Sequence, residues 1–344
     1  MIDFKTSDLQ QTVPAEVMEE IYEKIKTPYK YGAVLKFDKE LCDSPAVFRH
    51  NGRWYMSFIK IDKEVKTSGY DSHLAVSDDL VNWEYLFKTM ERQDDGSWDS
   101  KQRALYAAFI DNDIYGSYEI EPIDGKYYFA YLGGALDGYE TDPLAIGLCY
   151  TEDINDPKSY TRVSSERPIL APNDPDCRKG ETKTLYKSHM FRDEKKITGY
   201  TFVNAYNAKD DTHKESIFLA VSDDGVTWER YGDRAVIVDD SEKQNINING
   251  DPQIFKIGDV YVMFYFIACD GCTYAYETFA CSYDLQHFTK WQGEPLIKPT
   301  EDWDDLFAHK PCIAFKDGVL YHYYCACNNI GERFIALATS EELK

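Results

Sequence analysis

One hydropathic figure returns along most of the chain: an alternating apolar stretch, a turn of Gly or charged residues, an aromatic-rich stretch, and a third apolar stretch ending on Ser or Thr with acidic residues behind it. The copies read "SPAVFRHNGRWYMSF" with "HLAVSDDLVNWEYL", "YEIEPIDGKYYFAY" with "AIGLCYTEDINDPKSY", "SHMFRDEKKITGYTFV" with "IFLAVSDDGVTWERY", "DPQIFKIGDVYVMFYF" with "TFACSYDLQHFTKW", and "KPCIAFKDGVLYHYY" with "FIALATSEEL". Their closing positions, Ser77, Thr151, Ser222, Ser282 and Ser340, recur about every 60–75 residues, the signature of a repeat architecture. Short alternating runs bounded by Gly, Asp and Asn turns predict β-structure throughout, and four-stranded units in series predict a propeller. The expected fold is therefore all-β, a five-bladed β-propeller. The fifth copy stops at Lys344 without an outer strand, whereas "YGAVLKF" at 31–37 has strand character, so these residues are expected to close the ring beside 333–340. At 14–26, "PAEVMEEIYEKIK" places Pro at a helix start and apolar residues at 17, 18, 21, 22 and 25, which predicts one amphipathic helix packed outside. The expected division is an N-terminal helical extension over 1–30 and a propeller over 31–344.

Composition narrows the partners. The chain has 344 residues, 43% of them hydrophobic, enough for a sizeable core, and a net charge of -22. A nucleic-acid partner would need a basic face, and no Lys/Arg cluster interrupts the acidity, so none is expected. No apolar run approaches the roughly 18 residues that span a bilayer, and no membrane association is expected. Nine cysteines lack disulfide-like spacing and no charged-then-apolar leader follows Met1, which points to free thiols in a reducing cytoplasm.

In a propeller blade the innermost strand comes first, so its leading end and the loop between strands two and three open on one face around the axis. Leading positions carry Asp43 in blade one, Glu119 and Glu121 in blade two, Lys187 and His189 in blade three, Asp251 in blade four, and His309 with Lys310 in blade five. Loops on the same face add Asp137, Glu140 and Asp142, and then Asp270 and Glu277. Carboxylates, imidazoles and amines thus gather at one funnel. An Asp beside Pro is also an ordinary turn residue. The pairs Asp78-Asp79 and Asp223-Asp224 fall in turns on the opposite face, where turn chemistry accounts for them.

Other chemistries lack their patterns. Cys269-x2-Cys272 and Cys325-x-Cys327 fall at equivalent places after the second strands of blades four and five, but the spacing matches no familiar zinc module, and no metal is expected. There is no P-loop, dinucleotide fingerprint or His-Glu-x-x-His helix, so no cofactor is expected either.

The blade openings "CDSPAVFRHNGRWYMSF", "SYEIEPIDGKYYFAY", "NGDPQIFKIGDVYVMFYF" and "AHKPCIAFKDGVLYHYY" resemble those of the five-bladed β-propeller glycosidase superfamily, which includes glycoside hydrolase families 32, 43, 62, 68, 117 and 130. The resemblance covers nearly the whole chain from about Tyr31 and implies a catalytic domain that cleaves glycosidic bonds. From family 43 it implies Asp43 as general base, Glu119 as a blade-two carboxylate touching sugar, and Asp251, in Gly-Asp-Pro, as general acid where that family has Glu. Lys187 and His189 stand where that family has a pKa-modulating Asp. From family 117 it implies a late histidine, His309, as an alternative acid.

Glycosidic cleavage needs one group to protonate the leaving oxygen and another, across the sugar, to activate water or attack. The leading expectation is an inverting glycoside hydrolase acting on short oligosaccharides, with Asp43 as base and Asp251 or His309 as acid, and with Glu140 and Glu277 next in line as acid. His189, Lys187, Lys310, Arg103, Glu140 and Glu277 are expected to bind substrate. A second reading is a glycoside phosphorylase of the family 130 kind, with inorganic phosphate held by Arg103, Lys187, His309 and Lys310. A third is a non-catalytic carbohydrate-binding propeller.

Overall fold

The structure, a computed structural model, describes residues 12–63, 69–238 and 245–343. Among the described residues one α-helix, α1 (Ala15–Ile25), precedes twenty strands. Its buried face carries Met18, Ile21 and Ile25, and Tyr22 stacks on Trp291 with ring centroids 4.9 Å apart, so the helix lies against the outside of the sheets. No helix among the described residues is long and apolar enough to cross a membrane.

The strands form five antiparallel units. β1 (Tyr29–Leu35) is set aside for the last of them. The first unit holds β2 (Glu40–His50), β3 (Arg53–Asp62), β4 (Asp71–Ser77) and β5 (Glu84–Met90); the second holds β6 (Gln102–Ala107), β7 (Tyr127–Gly134), β8 (Ala145–Thr151) and β9 (Thr161–Arg162). The third holds β10 (Thr184–Arg192), β11 (Phe202–Lys209), β12 (Glu215–Ser222) and β13 (Glu229–Tyr231), and the fourth β14 (Ile246–Ile257), β15 (Val260–Cys269), β16 (Tyr274–Ser282) and β17 (Thr289–Lys290). In the fifth, β18 (Phe307–Lys316), β19 (Val319–Cys327) and β20 (Arg333–Thr339) are completed by β1, which pairs antiparallel with β20 from Tyr29↔Thr339 to Leu35↔Ile335. The first strand and the last therefore share one sheet.

Aromatic contacts join each unit to the next. Phe48 meets Phe129 at 5.6 Å, Phe109 meets Phe202 at 4.7 Å, His189 meets Phe255 at 5.6 Å and Phe266 meets His309 at 5.3 Å. Trp83 of the first unit then meets Tyr323 of the fifth at 5.8 Å. Rings in edge or tilted contact at this distance hold neighbouring sheets face to face. The recurring Ser/Thr-acidic turns have a common cause: the hydroxyls of Ser77, Ser222 and Ser282 accept main-chain N–H bonds three residues on. Asp79, Asp224 and Asp284 accept the N–H groups two and three residues on. Those acids are turn residues.

Four first strands share an irregularity. The register breaks between Asp43 and Ala46 in β2, Leu185 and Ser188 in β10, Gly250 and Gln253 in β14, and His309 and Cys312 in β18. Such a bulge inserts extra residues into one strand and re-aims a side chain. In three of the four a proline follows at once, Pro45, Pro252 and Pro311, and it has no N–H to give the ladder.

Candidate active site

At each bulge before a proline the residue in front of it is left-handed: Ser44 at φ 56°, Asp251 at 52° and Lys310 at 65°. Non-glycine residues in this region cost about 1–3 kcal/mol each and persist where the surroundings over-determine them, often at functional sites. The consequence here is convergence. Lys187 Nζ, from the β10 bulge, donates to the Pro45 carbonyl at 3.2 Å and lies 3.9 Å from Asp251 Oδ2 and 5.3 Å above the Tyr106 ring. Lys310 Nζ reaches Ser44 Oγ at 3.4 Å. Ser44, Tyr106, Lys187, Asp251 and Lys310, one from each unit, thus form a ring at the centre of the molecule. The residue equivalent to Asp251 and Lys310 is Ser44, while Asp43 stands one place earlier, level with Gly250 and His309.

Asp43 is fully buried and saturated. Its Oδ2 accepts bonds from Tyr139 Oη at 2.6 Å, Arg333 Nη1 at 2.8 Å and Lys310 Nζ at 3.3 Å, and its Oδ1 accepts the Ser44 N–H at 2.6 Å. Burial alone would raise its pKa, but Lys310 and Arg333 outweigh it and hold the carboxyl well below the carboxylate range. Lys310 also donates to Glu140 Oε1 at 2.9 Å and Tyr139 Oη at 2.8 Å; burial works against its charge, yet Asp43 and Glu140 push its pKa up. Such a carboxylate is a poor proton acceptor and a strong anchor. Removing one partner of a buried ion pair typically costs about 3–5 kcal/mol, so Asp43→Asn is expected to lower unfolding free energy by an amount of that order. Urea denaturation checks this; a change below about 1 kcal/mol, the size of an exposed pair, would show that the network does not depend on Asp43.

Glu140 comes from the loop 135–143 after β7, itself at φ 50°, which lays Tyr139 and Glu140 over units one and five. Asp142 of the same loop accepts from Lys209 at 2.8 Å and from Thr184 at 2.5 Å, tying it to unit three. Facing it from the head of β12 is Glu215, a buried carboxyl that sequence reasoning missed. Asn207 bridges it to the ring: Asn207 Nδ2 donates to Glu215 Oε2 at 2.7 Å, and Asn207 Oδ1 accepts the Asp251 N–H at 3.1 Å. Burial first, and the charge of Glu140 next, push the Glu215 pKa from 4.5 up to about 8. Asp251 is shifted the same way by burial, against the pull of Lys310 and Lys187, and its buried Oδ2 has no hydrogen-bond partner among the described residues. The pit therefore holds a carboxyl that stays protonated at neutral pH and, on the opposite wall, a carboxylate ion-paired with Lys310.

The remaining sequence candidates lie elsewhere or are committed. Glu119 was expected at the head of an innermost strand, but the first strand of unit two is β6, and Glu119 belongs to the excursion that follows it. It sits 3.6 Å from Arg49 and within reach of the Gly52 N–H, at the far end of β2 from Asp43. Six residues of strand amount to about 20 Å, so Glu119 is not brought to the pit. Arg103 is held by Asp99 Oδ1 at 3.2 Å and by the Asp99 and Glu91 carbonyls. Glu277 is wholly buried, 2.6 Å from His322 Nε2, and burial raises its pKa. His189 donates to the Ile254 carbonyl at 3.0 Å and burial lowers its pKa to about 4. His309 donates from Nδ1 to the Cys325 carbonyl at 2.9 Å, and burial takes it to about 3. Neither imidazole carries a proton to give near neutrality.

Among solved structures, a complex of BT0996 with RGII superposes with a TM-score of 0.89 and 39% identity, covering 96% of this chain and 97% of the other. A second, described as "Glycoside hydrolase", has the same identity, coverage and TM-score. Zg3597, a family 117 glycoside hydrolase produced by the marine bacterium Zobellia galactanivorans, is similar in fold with a TM-score of 0.65 at 14% identity over 92% of this chain and 91% of the other. No protein-family profile and no curated protein matches.

Proposed function

The chain belongs to the glycoside hydrolases, and on that premise we propose that Glu215 is its general acid and Glu140 the carboxylate that works across the sugar from it. The five units are then the blades of a five-bladed propeller, and the ring of Ser44, Tyr106, Lys187, Asp251 and Lys310 is the floor of its funnel. The observation that carries the proposal is the buried Glu215 carboxyl, raised to about 8, opposite a Glu140 carboxylate bound to Lys310 at 2.9 Å. Two carboxyls whose surroundings separate their protonation states are what acid–base cleavage of a glycoside requires. A terminal sugar resting on the floor would place its hydroxyls against Lys187 and the unpartnered Asp251 Oδ2, and its glycosidic oxygen at the level of the walls. There Glu215 gives its proton to the departing oxygen while Glu140 activates water, inverting the anomeric centre. Asp251, expected from sequence to be the acid, becomes the group that positions the sugar.

Hydrolysis is favoured over phosphorolysis by the state of the funnel cations. Lys310 and Arg333 are bound to Asp43 and Lys310 also to Glu140, while Lys187 lies between Asp251 and a carbonyl. An incoming phosphate would meet cations already neutralised and a wall of carboxylates. Because a 39% identical relative is known in complex with RGII, the substrate proposed is a short oligosaccharide of that kind. A panel of oligosaccharides that includes RGII fragments, assayed with and without inorganic phosphate, is expected to release free sugar at a phosphate-independent rate. Release of a sugar 1-phosphate would replace hydrolysis with phosphorolysis, and the first-formed anomer, read by proton NMR, reports the stereochemistry: retention would make Glu140 the nucleophile.

A further inference from the structure

His309, Cys325 and Cys327 meet behind the Asp43–Arg333 wall, and nothing in the proposed reaction uses them. Cys325 and Cys327 are two apart on β19 and so project from the same face, and His309 is the register partner of Cys325 across the β18–β19 ladder. All three are buried, and one ligand atom from each lies within 4.8 Å of the others. We propose that these three residues bind a zinc ion.

Three observations support the assignment. A carbonyl can only accept, so the 2.9 Å contact to the Cys325 oxygen fixes the His309 proton on Nδ1 and leaves the lone pair on Nε2, as a metal-binding histidine is held by a backbone partner. The side chain is neutral, the form that ligates. Next, zinc takes thiolate at about 2.3 Å and imidazole at about 2.0–2.1 Å, so tetrahedral ligand atoms stand roughly 3.4–3.8 Å apart; the cluster needs to contract by no more than about 1 Å. Two thiols and an imidazole are also a donor set that selects zinc over magnesium or calcium. Last, the thiols are not placed as a natural disulfide: two residues apart on a strand, their Cα atoms are about 6.6 Å apart, near the limit that a disulfide spans. The Cys327 thiol is drawn down in pKa by Cys325, against burial, with Arg333 helping, so one ligand is already inclined to the thiolate form. Cys269 and Cys272, the other pair singled out in the sequence, do not join this cluster. An ion here would tie the second strand of unit five to the head of its first, next to the arginine that holds Asp43.

Cobalt(II) tests the site without relying on activity. The whole protein, reduced and dialysed against chelator, is expected to take up one equivalent of cobalt(II) with a thiolate-to-metal band in the near ultraviolet and visible absorption of tetrahedral intensity, both erased by zinc. Cys325→Ser/Cys327→Ser is expected to lose both bands, and Cys269→Ser/Cys272→Ser to keep them. The proposal is overturned if the unaltered protein, which needs no substitution to fold, shows no thiolate band. It is equally overturned if the band survives in Cys325→Ser/Cys327→Ser or vanishes in Cys269→Ser/Cys272→Ser while persisting in the other.

Discussion

Glu215→Gln is expected to lower turnover of an unactivated glycoside by about 10²–10⁴, the usual contribution of a positioned acid, while leaving the fold and ligand binding in place. Gln keeps the size of the side chain and can still meet Asn207, but it has no proton to give. A substrate whose leaving group departs without protonation, such as a nitrophenyl glycoside, should therefore recover most of the loss. Asp251→Asn should behave differently: the floor loses an acceptor for a sugar hydroxyl, so KM rises more than kcat falls, and the activated substrate brings no rescue. If instead Asp251→Asn shows the large, leaving-group-dependent loss and Glu215→Gln does not, the acid is Asp251 and the wall carboxyl only shapes its surroundings.

The same carboxyl sets a pH dependence. Because the acid must be protonated to act, kcat/KM should fall as pH rises through about 8, and Glu215→Gln should abolish that limb. Stability carries the matching sign. A group whose folded pKa lies above its unfolded value binds more protons in the native state, so the stabilisation tied to protonated Glu215 is complete below about 4.5 and is lost as pH rises through about 8. Thermal unfolding followed between these values should show a decline that Glu215→Gln lacks.

The repeat, the closing strand and the turn acids were legible because each follows from a local pattern repeated several times, and a repeat averages out the ambiguity of any one copy. The site was harder to see. Asp43 and Asp251 were matched as equivalents because both are acids near a proline, but the bulge counts residues rather than types, and the true equivalent of Asp251 is Ser44. That shift by one place moves Asp43 from the floor into a buried ion network. Unit two misled for another reason: its first strand, Gln102–Ala107, has neither proline nor acid, so the charged excursion carrying Glu119 stood out in its place. Glu215 was within reach of the rule already applied to Glu140 and Asp270, since the loop joining the second and third strands opens on the same face in every unit. Its signal was hidden by "KDDTHKES", where one acid among several polar neighbours looks like a solvated hairpin. Only burial against Asn207 and Glu140 separates it from the exposed acids beside it.

Glu140→Gln is expected to have the other large effect, a loss of about 10²–10⁴ in turnover with the opposite leaving-group behaviour. What is lost in this variant is activation of the attacking water, and an easier leaving group does not supply that, so activated and unactivated substrates should fall together. The ion pair with Lys310 offers a purely structural explanation for any effect, and stability measurements separate the two. Lys310 keeps Asp43 and Tyr139 as partners when Glu140 becomes neutral, so the network survives and the urea midpoint should move far less than in Asp43→Asn. A catalytic Glu140 thus gives a large kinetic loss with a small stability change, whereas a structural Glu140 gives the reverse. The two walls also act in a single step, so their losses should not add: Glu140→Gln/Glu215→Gln is expected to be little slower than the worse single variant, as residues that work as a unit are non-additive. Full additivity in the double variant would mean that Glu140 and Glu215 act in separate events, and the pairing of the two carboxyls across one sugar would then be wrong.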